Sequence, residues 1–242
     1  MKAIILAAGR GSRMKAMTNE RPKCLLELHR KSLLERQLDA IRDAGVSEIS
    51  IVTGYKREML LSYGLREFYN PRWAETNMVS SLACAAEWLK DEPCIVSYSD
   101  IFYSSDAVKS LMGSHADIAV TYDPNWLKLW ENRFSDPLQD AETFRLNKDG
   151  TLAEIGNKPK TVDEVQGQYM GLLWFSPKGW NAVVSIRDKL NDLERDQIHM
   201  TGMLQLVIKF GVVSIVAIPY KGVWGECDSI EDIGVAENLI CP

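Results

Sequence analysis

A glycine loop with nearby cationic residues is the first feature of this sequence that could carry out chemistry. Residues 9–13 read GRGSR, directly after a short apolar run, and Lys23 follows Pro22 farther along the chain. Glycines let backbone N–H groups approach phosphate oxygens closely, while Arg13 and Lys23 supply positive charge. The pattern predicts a loop that binds a triphosphate.

Two other kinds of phosphate loop can be compared with this one. The dinucleotide-binding fingerprint needs a third glycine or alanine at position 14, where Met14 stands, and an acidic residue at the end of the second strand. Glu35 falls early in the first predicted helix instead. A Walker loop would need Gly-Lys-Ser or Gly-Lys-Thr after four intervening residues, and the sequence lacks it. The alternative that remains is a tight turn that merely requires glycine.

Acidic residues near two predicted strand ends are candidates for a metal site. Asp100 follows the apolar segment 94–99, and Glu226 and Asp228 lie between a late strand and the last predicted helix. Ligands of open α/β sheets bind at the carboxyl ends of strands, and Mg²⁺ needs one or two carboxylates together with phosphate oxygens. Taken with the loop, these carboxylates agree with one Mg²⁺ site. Asp100 has an alternative role as a helix N-cap or turn residue.

Strand-like and helical patterns alternate along the first half of the chain. Short β-branched runs alternate with segments whose apolar residues recur at helical spacing, as Leu34, Leu38 and Ile41 do. The predicted elements lie at residues 2–8, 32–44, 48–53, 78–89, 94–99, 106–112 and 117–122. This order predicts an α/β fold with a mainly parallel, Rossmann-like central sheet and helices on both faces.

The pattern changes after residue 122. A charged segment that contains tryptophans, 123–145, precedes strand-like segments and turns, which predict a smaller β-rich half. The predicted strands lie at 151–155, 168–175 and 212–218, and the predicted helices at 177–190, 201–210 and 230–239. Because no linker is evident, the halves 1–122 and 123–242 are predicted to share one core in a single domain.

Composition argues against several classes of function. The net charge of −5 argues against a nucleic-acid-binding surface, and three well-separated histidines argue against a zinc enzyme or a histidine-based triad. Without a signal peptide or a membrane-spanning apolar stretch, the chain is expected to be soluble and cytoplasmic, with no membrane partner. The oligomeric state is left open, with a homodimer as one option. Reduced thiols are expected at Cys24, Cys84, Cys94, Cys227 and Cys241.

The loop resembles the signature G-x-G-[ST]-R, with a downstream P-K, of the nucleotidyltransferases that make activated sugars and CDP-alcohols. Residues 9–23 follow this signature, although Ala16 stands where many sugar enzymes have proline. The resemblance covers nearly the whole chain and is closest to the bacterial choline-phosphate and phosphonate cytidylyltransferases. Residues 69–82 look like the segment that lies beside the nucleotide base in those enzymes.

The resemblance implies a nucleotide-binding half, 1–122, and an acceptor-binding half, 123–242, that supplies the second metal carboxylate. It implies Mg²⁺ on Asp100 and Asp228, with Arg13 and Lys23 as the other catalytic residues. Asn77 is a candidate for base or ribose contacts, and N-capping of the following helix by Thr76 or Asn77 is compatible with that role. The expected nucleotide contacts are Leu6, Ala8, Gly9, Gly11, Ser12, Arg13, Lys23, Asn77 and Ser81.

Acceptor choice is predicted to depend on the tryptophan-containing segment. Trp126 and Trp130 would lie on one helix face and, with Glu142 among the nearby carboxylates, could surround an amine, whereas Arg133 suits a phosphate or phosphonate. The alternative is that both tryptophans only pack the smaller half against the sheet. Lys158 resembles a lysine that follows a β-hairpin in sugar enzymes, and it is either a phosphate ligand or a solvated turn residue.

The function predicted from these features is transfer of CMP from CTP to a small non-sugar acceptor, with release of pyrophosphate. Phosphocholine, an aminophosphonate and a phosphoramidate precursor are the acceptors considered. One alternative is a sugar-1-phosphate nucleotidylyltransferase that makes a nucleoside-diphosphate sugar. Another is a non-catalytic nucleotide sensor, which would have no need to keep both Asp100 and Asp228.

Overall fold

The computed structural model describes residues 1–240, apart from the side chain of Lys15, so Cys241 lies outside the described residues. The strands are β1 (Lys2–Ala7), β2 (Glu27–Leu28), β3 (Lys31–Ser32), β4 (Glu48–Thr53), β5 (Arg66–Tyr69), β6 (Cys94–Tyr98), β7 (Ile101–Tyr103), β8 (Ile118–Asp123), β9 (Phe144–Leu146), β10 (Leu152–Ile155), β11 (Gln168–Phe175), β12 (Ile215–Pro219) and β13 (Trp224–Glu226). The helices are α1 (Leu33–Asp43), α2 (Met78–Ala83), α3 (Ala86–Asp91), α4 (Ser105–Met112), α5 (Trp126–Arg133), α6 (Pro177–Arg187), α7 (Asp192–Gln197), α8 (Met200–Phe210) and α9 (Ile230–Leu239).

The central sheet has seven strands in the order β12-β8-β11-β6-β1-β4-β5. Strands β1, β4, β5 and β6 run parallel, and β12 is parallel to β8, whereas β11 is antiparallel to both of its neighbours. The mainly parallel α/β sheet is therefore confirmed. Because β11 pairs with β6 and β8, and β12 pairs with β8, strands from 1–122 and from 123–242 share hydrogen bonds.

Helices cover both faces of the sheet, as β1 illustrates. All six residues of β1 are buried, and successive side chains of a strand point to opposite faces. Ile5 packs in the same core cluster as Leu34 of α1, whereas Ile4 belongs to a second cluster with Leu82 of α2. A strand buried on both faces is continuously apolar, which explains the uninterrupted apolar run at the start of the sequence.

Several boundaries differ from those predicted. The helix predicted at 78–89 is two helices, because Cys84 and Ala85 form tighter turns whose N–H groups bond to the carbonyls of Ser81 and Leu82. The helix predicted at 177–190 ends at Arg187, and the strand predicted at 212–218 begins at Ile215. Strands β2, β3, β5, β7 and β9 and helix α7 were not predicted, and all of them are short.

The length and hydrophobicity of the helices can be compared with those of a membrane-spanning helix. Among the helices of residues 1–240, none combines the length and the apolar character that crossing a bilayer requires.

Candidate active site

The glycine loop leaves the carboxyl end of β1 and places Gly11 against Lys23. Gly11 has a φ of +68°, which L side chains rarely adopt, and a Cβ there would lie 2.7 Å from Cδ of Lys23. A short 3₁₀ helix, Ser12–Thr18, follows, and the Thr18 hydroxyl donates to the Gly11 carbonyl at 3.1 Å. Glycine is therefore required at position 11 both for the turn and for the close passage of the lysine side chain.

Lys23 is buried between the two candidate metal carboxylates. Its side chain is 8% exposed, and Nζ donates to Asp100 Oδ2 at 2.8 Å and to Asp228 Oδ1. Burial alone would lower the pKa of Lys23, but the charges and hydrogen bonds of Asp100 and Asp228 outweigh it and raise the pKa. The lysine therefore stays charged and joins the two aspartates.

Strand pairing brings the two aspartates together. Asp100 follows β6, which runs parallel to β1, so Asp100 lies beside the glycine loop. Strand β13 pairs antiparallel with β7, with Glu226 opposite Ile101, and the backbone N–H of Cys227 donates to the Asp100 carbonyl at 2.9 Å. Asp228, the next residue, therefore reaches the same place from the far end of the sequence.

Arg13 lies on the solvent side of this cluster. Its side chain is 67% exposed, and its Nη2 is 3.0 Å from Asp228 Oδ2, while Nη1 is 4.0 Å from Asp140 Oδ1. The guanidinium thus links the loop to Asp228 and to the segment that precedes β9. Because most of it is open to solvent, it remains able to pair with an anion.

These groups line a cavity of about 280 Å³ at the carboxyl ends of β1 and β6. Every residue predicted to contact the nucleotide lines it, together with Asp100 and Asp228. The complete lining is Leu6, Ala8, Gly9, Gly11, Ser12, Arg13, Lys23, Trp73, Thr76, Asn77, Met78, Ser81, Tyr98, Ser99, Asp100 and Asp228. The cavity is the natural candidate for the triphosphate site.

The wall opposite the loop begins at α2. Asn77 is the N-cap of this helix, because its Oδ1 accepts from the Met78 N–H at 2.8 Å. The hydroxyl of Ser81 accepts from Nδ2 of buried Asn70 at 3.0 Å. Asn77 therefore caps α2 and also lines the cavity, so the two roles considered for it are compatible.

The protein family of this chain follows from a comparison with known proteins. A profile described as the MobA-like NTP transferase domain matches residues 3–158. The chain belongs to this family. It is a nucleotidyltransferase, as the glycine loop and the paired aspartates had indicated. Its substrates are of two kinds, a nucleotide and a phosphorylated acceptor.

Two relatives and one solved structure show how far this likeness extends. The CTP:phosphoglutamine cytidylyltransferase of Campylobacter jejuni is 35% identical to this nucleotidyltransferase, over 97% of this chain and 98% of that protein. The choline-phosphate cytidylyltransferase of Streptococcus pneumoniae is 36% identical over 72% of this chain and 81% of that one. A solved structure of the Streptococcus pneumoniae CTP:phosphocholine cytidylyltransferase has a TM-score of 0.73 at 23% identity, with 98% of each chain covered, so it supports the fold.

The tryptophans predicted to surround an amine are core residues. Trp126 is 3% exposed and Trp130 is 0% exposed, and their ring centroids lie 6.2 Å apart on one face of α5. Trp130 also packs against Trp224 of β13, with centroids 6.1 Å apart. Neither ring presents a face to a ligand, so the amine-binding prediction is wrong here and the packing alternative is correct.

Arg133 is likewise part of the interior. Its side chain is 1% exposed, with Nη1 2.6 Å from Glu226 Oε1 and Nε 2.8 Å from Asp232 Oδ1. Burial tends to lower the pKa of Arg133, but these carboxylates more than compensate and raise it. With its donors engaged inside the protein, Arg133 cannot receive an acceptor phosphate, which corrects that prediction.

The two other predicted acceptor residues lie near the cavity rimmed by Arg13 but do not line it. Glu142 is half-buried, its Oε1 accepts weakly from the Thr201 hydroxyl at 3.4 Å, and burial raises its pKa. Lys158 follows the β9–β10 hairpin, and its exposed Nζ donates to the Leu138 carbonyl and to the Gln139 carbonyl at 2.6 Å. The hairpin and the Asp140 segment are therefore connected to each other.

A cation between Asp100 and Asp228 fits the chemistry of this nucleotidyltransferase. Within residues 1–240, no three histidine, cysteine or acidic side chains are grouped in a way that could hold a metal ion. Mg²⁺ would accordingly depend on two carboxylates and on substrate oxygens, which is its usual mode of binding in phosphate-transfer sites. The convergence of both carboxylates on one ammonium group shows that the position favours positive charge.

Several residues of the cavity wall had no role predicted from the sequence, and Trp73 has the largest side chain among them. Trp73 packs edge-on against Tyr55, with centroids 5.3 Å apart. Its position depends on Gly54, where a Cβ would lie 2.5 Å from the Trp73 Cβ. The signal was present, because Trp73 falls inside the segment 69–82 that resembles the base-binding part of cytidylyltransferases.

Proposed function

We propose that this nucleotidyltransferase transfers CMP from CTP to a small non-sugar phosphate or phosphonate and releases pyrophosphate. The observation that carries the proposal is the Lys23 ammonium held between Asp100 and Asp228 in the wall of the cavity beneath the glycine loop. The names of the full-length relative, which acts on phosphoglutamine, and of the choline-phosphate relative support CTP and a small acceptor.

The reaction needs little chemistry from the protein. An acceptor oxygen forms a bond to the α-phosphorus of CTP, the bond from that phosphorus to the bridging oxygen breaks, and pyrophosphate leaves with the electron pair. The acceptor phosphate is already ionised at neutral pH, so no general base is required. The enzyme has to align acceptor and leaving group and to neutralise the charge that develops between them.

The cationic side chains suit separate parts of the triphosphate. We assign Lys23 to the α-phosphate, because its ammonium is buried at the base of the cavity, next to both carboxylates. Arg13, with its exposed guanidinium, is assigned to the β- and γ-phosphates together with the backbone amides of Gly9 and Gly11. The pyrophosphate formed would therefore leave from the solvent side of the loop.

Mg²⁺ is proposed as the cofactor, held by Asp100 and Asp228. When bound, it would neutralise phosphate charge and make the α-phosphorus more electrophilic. The two aspartates also orient Lys23, since both accept hydrogen bonds from its Nζ. Each aspartate thus has a role in holding the lysine in addition to its proposed role toward the metal.

The acceptor is proposed to enter from the side of the β9–β10 hairpin. Asp140 lies at 4.0 Å from Arg13, and Lys158 contacts the adjoining turn, so this region borders the triphosphate cavity. Glu142 and Lys158 remain candidates for acceptor contacts. We also propose that residues 1–242 act as one domain, because the central sheet takes strands from both halves of the chain.

A sugar-1-phosphate nucleotidylyltransferase is the second candidate, because the loop signature is shared with those enzymes. A pyrophosphate-release assay that crosses CTP, UTP, dTTP and GTP with phosphoglutamine, phosphocholine, aminoethylphosphonate and glucose 1-phosphate separates the two. We expect release with CTP and a non-sugar acceptor, and none when EDTA removes the metal. Release with glucose 1-phosphate alone would favour the sugar enzyme, and no release with any pair would favour a sensor.

Two variants make this assay specific to the site. Asp228→Asn removes one of the two carboxylates that hold Lys23 and should abolish release. Asp39→Asn breaks an ion pair with Lys31 on the protein surface and should leave release unchanged. Equal release by the wild type and Asp228→Asn would contradict the assignment of the site.

A further inference from the structure

A buried amide on α1 contacts the turn that carries Asp100. Gln37 has none of its surface exposed, although it lies on the helix face that Leu34 and Ile41 bury in the core. A polar side chain in such a position is costly unless its hydrogen bonds are made inside the protein. The partners of this amide therefore indicate what it contributes.

Both partners of the Gln37 amide nitrogen flank Asp100. Nε2 donates to the carbonyl oxygen of Tyr98 at 2.9 Å and to that of Ile101 at 2.6 Å. Tyr98 ends β6 and Ile101 begins β7, so the amide spans the two-residue turn that contains Asp100. The amide oxygen accepts from the Ser97 hydroxyl at 3.2 Å. Backbone carbonyls only accept hydrogen bonds, so the NH₂ group must face them.

We propose that Gln37 is a positioning residue that fixes the Asp100 turn from the interior, an inference that depends on the proposed function of the site. The turn is held from its other side by the Cys227 N–H, which donates to the Asp100 carbonyl. Gln37 and Cys227 together set the Asp100 carboxylate beside Lys23. Without the amide, both carbonyls lose a donor, the Tyr98 carbonyl retaining a hydrogen bond from the Ser97 hydroxyl at 3.0 Å, and the turn can shift.

Gln37→Met tests this role, because methionine has a similar length and shape but no donor. We expect the variant to weaken Mn²⁺ binding in the presence of CTP, measured by electron paramagnetic resonance, by about tenfold. We expect kcat to fall by at least about tenfold, while KM for the acceptor changes much less. Gln37→Asn, whose amide is one methylene shorter and cannot span both carbonyls, should show the same pattern.

Tyr103→Phe is the matched control. Its hydroxyl donates to Ser97 at 2.8 Å in the same buried network but does not contact the carbonyls beside Asp100. This variant should therefore keep wild-type Mn²⁺ affinity and kcat. Circular dichroism gives the folded fraction of each variant. If the Gln37 variants matched Tyr103→Phe, or lost activity only in proportion to their unfolded fraction, the positioning role would be wrong.

The same measurements distinguish this inference from the proposed function. A wild-type protein that binds Mn²⁺ with CTP but releases no pyrophosphate contradicts the transfer reaction, while the shift in Mn²⁺ affinity between wild type and Gln37→Met still decides the role of Gln37. Conversely, wild-type turnover with unchanged Mn²⁺ affinity and kcat in Gln37→Met would overturn the positioning role alone.

Discussion

The backbone N–H of Cys227 donates a hydrogen bond to the carbonyl oxygen of Asp100 at 2.9 Å. This bond extends the pairing of β7 with β13 by one step and sets Asp228 beside Asp100, although the two aspartates come from different halves of the chain. Their shared counter-ion is Lys23. Substitutions in and around this ion cluster should therefore affect metal binding, catalysis and stability to different extents, which can be measured separately.

The Lys23→Met variant should bind Mg²⁺ more tightly than the wild type when no substrate is present. Without the ammonium, Asp100 and Asp228 repel each other in a largely buried position, and a divalent cation relieves that repulsion. We expect Mg²⁺ to raise the melting temperature of Lys23→Met more than that of the wild type. Turnover should fall by about 10²–10³, because a donor to the developing charge is lost.

The comparison for this variant is Lys31→Met, which breaks an exposed ion pair with Asp39. Its melting temperature should respond to Mg²⁺ as the wild type does. An equal response of Lys23→Met and the wild type, measured by thermal unfolding with and without Mg²⁺, would argue against a metal site at the two aspartates.

Gly11→Ala should damage the loop more than its backbone strain alone accounts for. At a φ of +68°, alanine costs about 1–2 kcal/mol, and its Cβ would also clash with Lys23 at 2.7 Å. Gly64 has a φ of +65° with open space around it, so Gly64→Ala carries the strain without the clash. Gly11→Ala should therefore lose more stability than Gly64→Ala, and turnover should fall in Gly11→Ala only. A comparable loss of turnover in Gly64→Ala would mean that strain, not the position of Lys23, matters.

Arg133→Met should destabilise the fold without changing acceptor affinity. Removing one partner of a buried ion pair costs about 3–5 kcal/mol, and Glu226 and Asp232 would be left without their cation. Urea unfolding measures the loss, and Arg145→Met, at a 45% exposed side chain, gives the surface comparison. A raised KM for the acceptor with unchanged stability would restore Arg133 as a phosphate ligand.

Replacement of Trp130 by alanine should affect stability, whereas replacement of Trp73 should affect CTP binding. Trp130 is fully buried, so Trp130→Ala should lower the free energy of unfolding by about 3–5 kcal/mol. Trp73 lines the cavity and is only partly buried, so Trp73→Ala should mainly raise KM for CTP. Stacking of a base on an aromatic ring contributes about 1–3 kcal/mol, which corresponds to roughly 5-fold to 160-fold in KM. Equal KM values for CTP in Trp73→Ala and the wild type would place the base elsewhere.

The parts of the site that sequence predicted are those that follow from local pattern. A strand that runs into glycines, and carboxylates at strand ends, converge on one edge of a parallel sheet whichever helices cover it. This is why residues around Gly11, Asp100 and Asp228 line one cavity in the structure. The break between α2 and α3 was missed because their apolar residues keep helical spacing across Cys84 and Ala85.

The surroundings of Trp130 and Arg133 could not be predicted for a different reason. A tryptophan at helical spacing faces either a ligand or a core, and the outcome depends on what packs against it. Here Trp224 covers Trp130, while Glu226 and Asp232 neutralise Arg133, and all three come from β13 and α9 near the end of the described chain. Such long-range partners leave no local signal around residues 126–133.

The most direct test of CMP transfer is ³¹P nuclear magnetic resonance of a reaction that contains CTP, Mg²⁺ and an acceptor such as phosphoglutamine or phosphocholine. We expect the CTP signals to be replaced by those of pyrophosphate and of a CMP–acceptor product whose two phosphorus atoms are coupled. Asp228→Asn should form neither, whereas Asp39→Asn should form both. Persistence of the CTP signals with every non-sugar acceptor, or product formation by Asp228→Asn at the wild-type rate, would contradict this expectation.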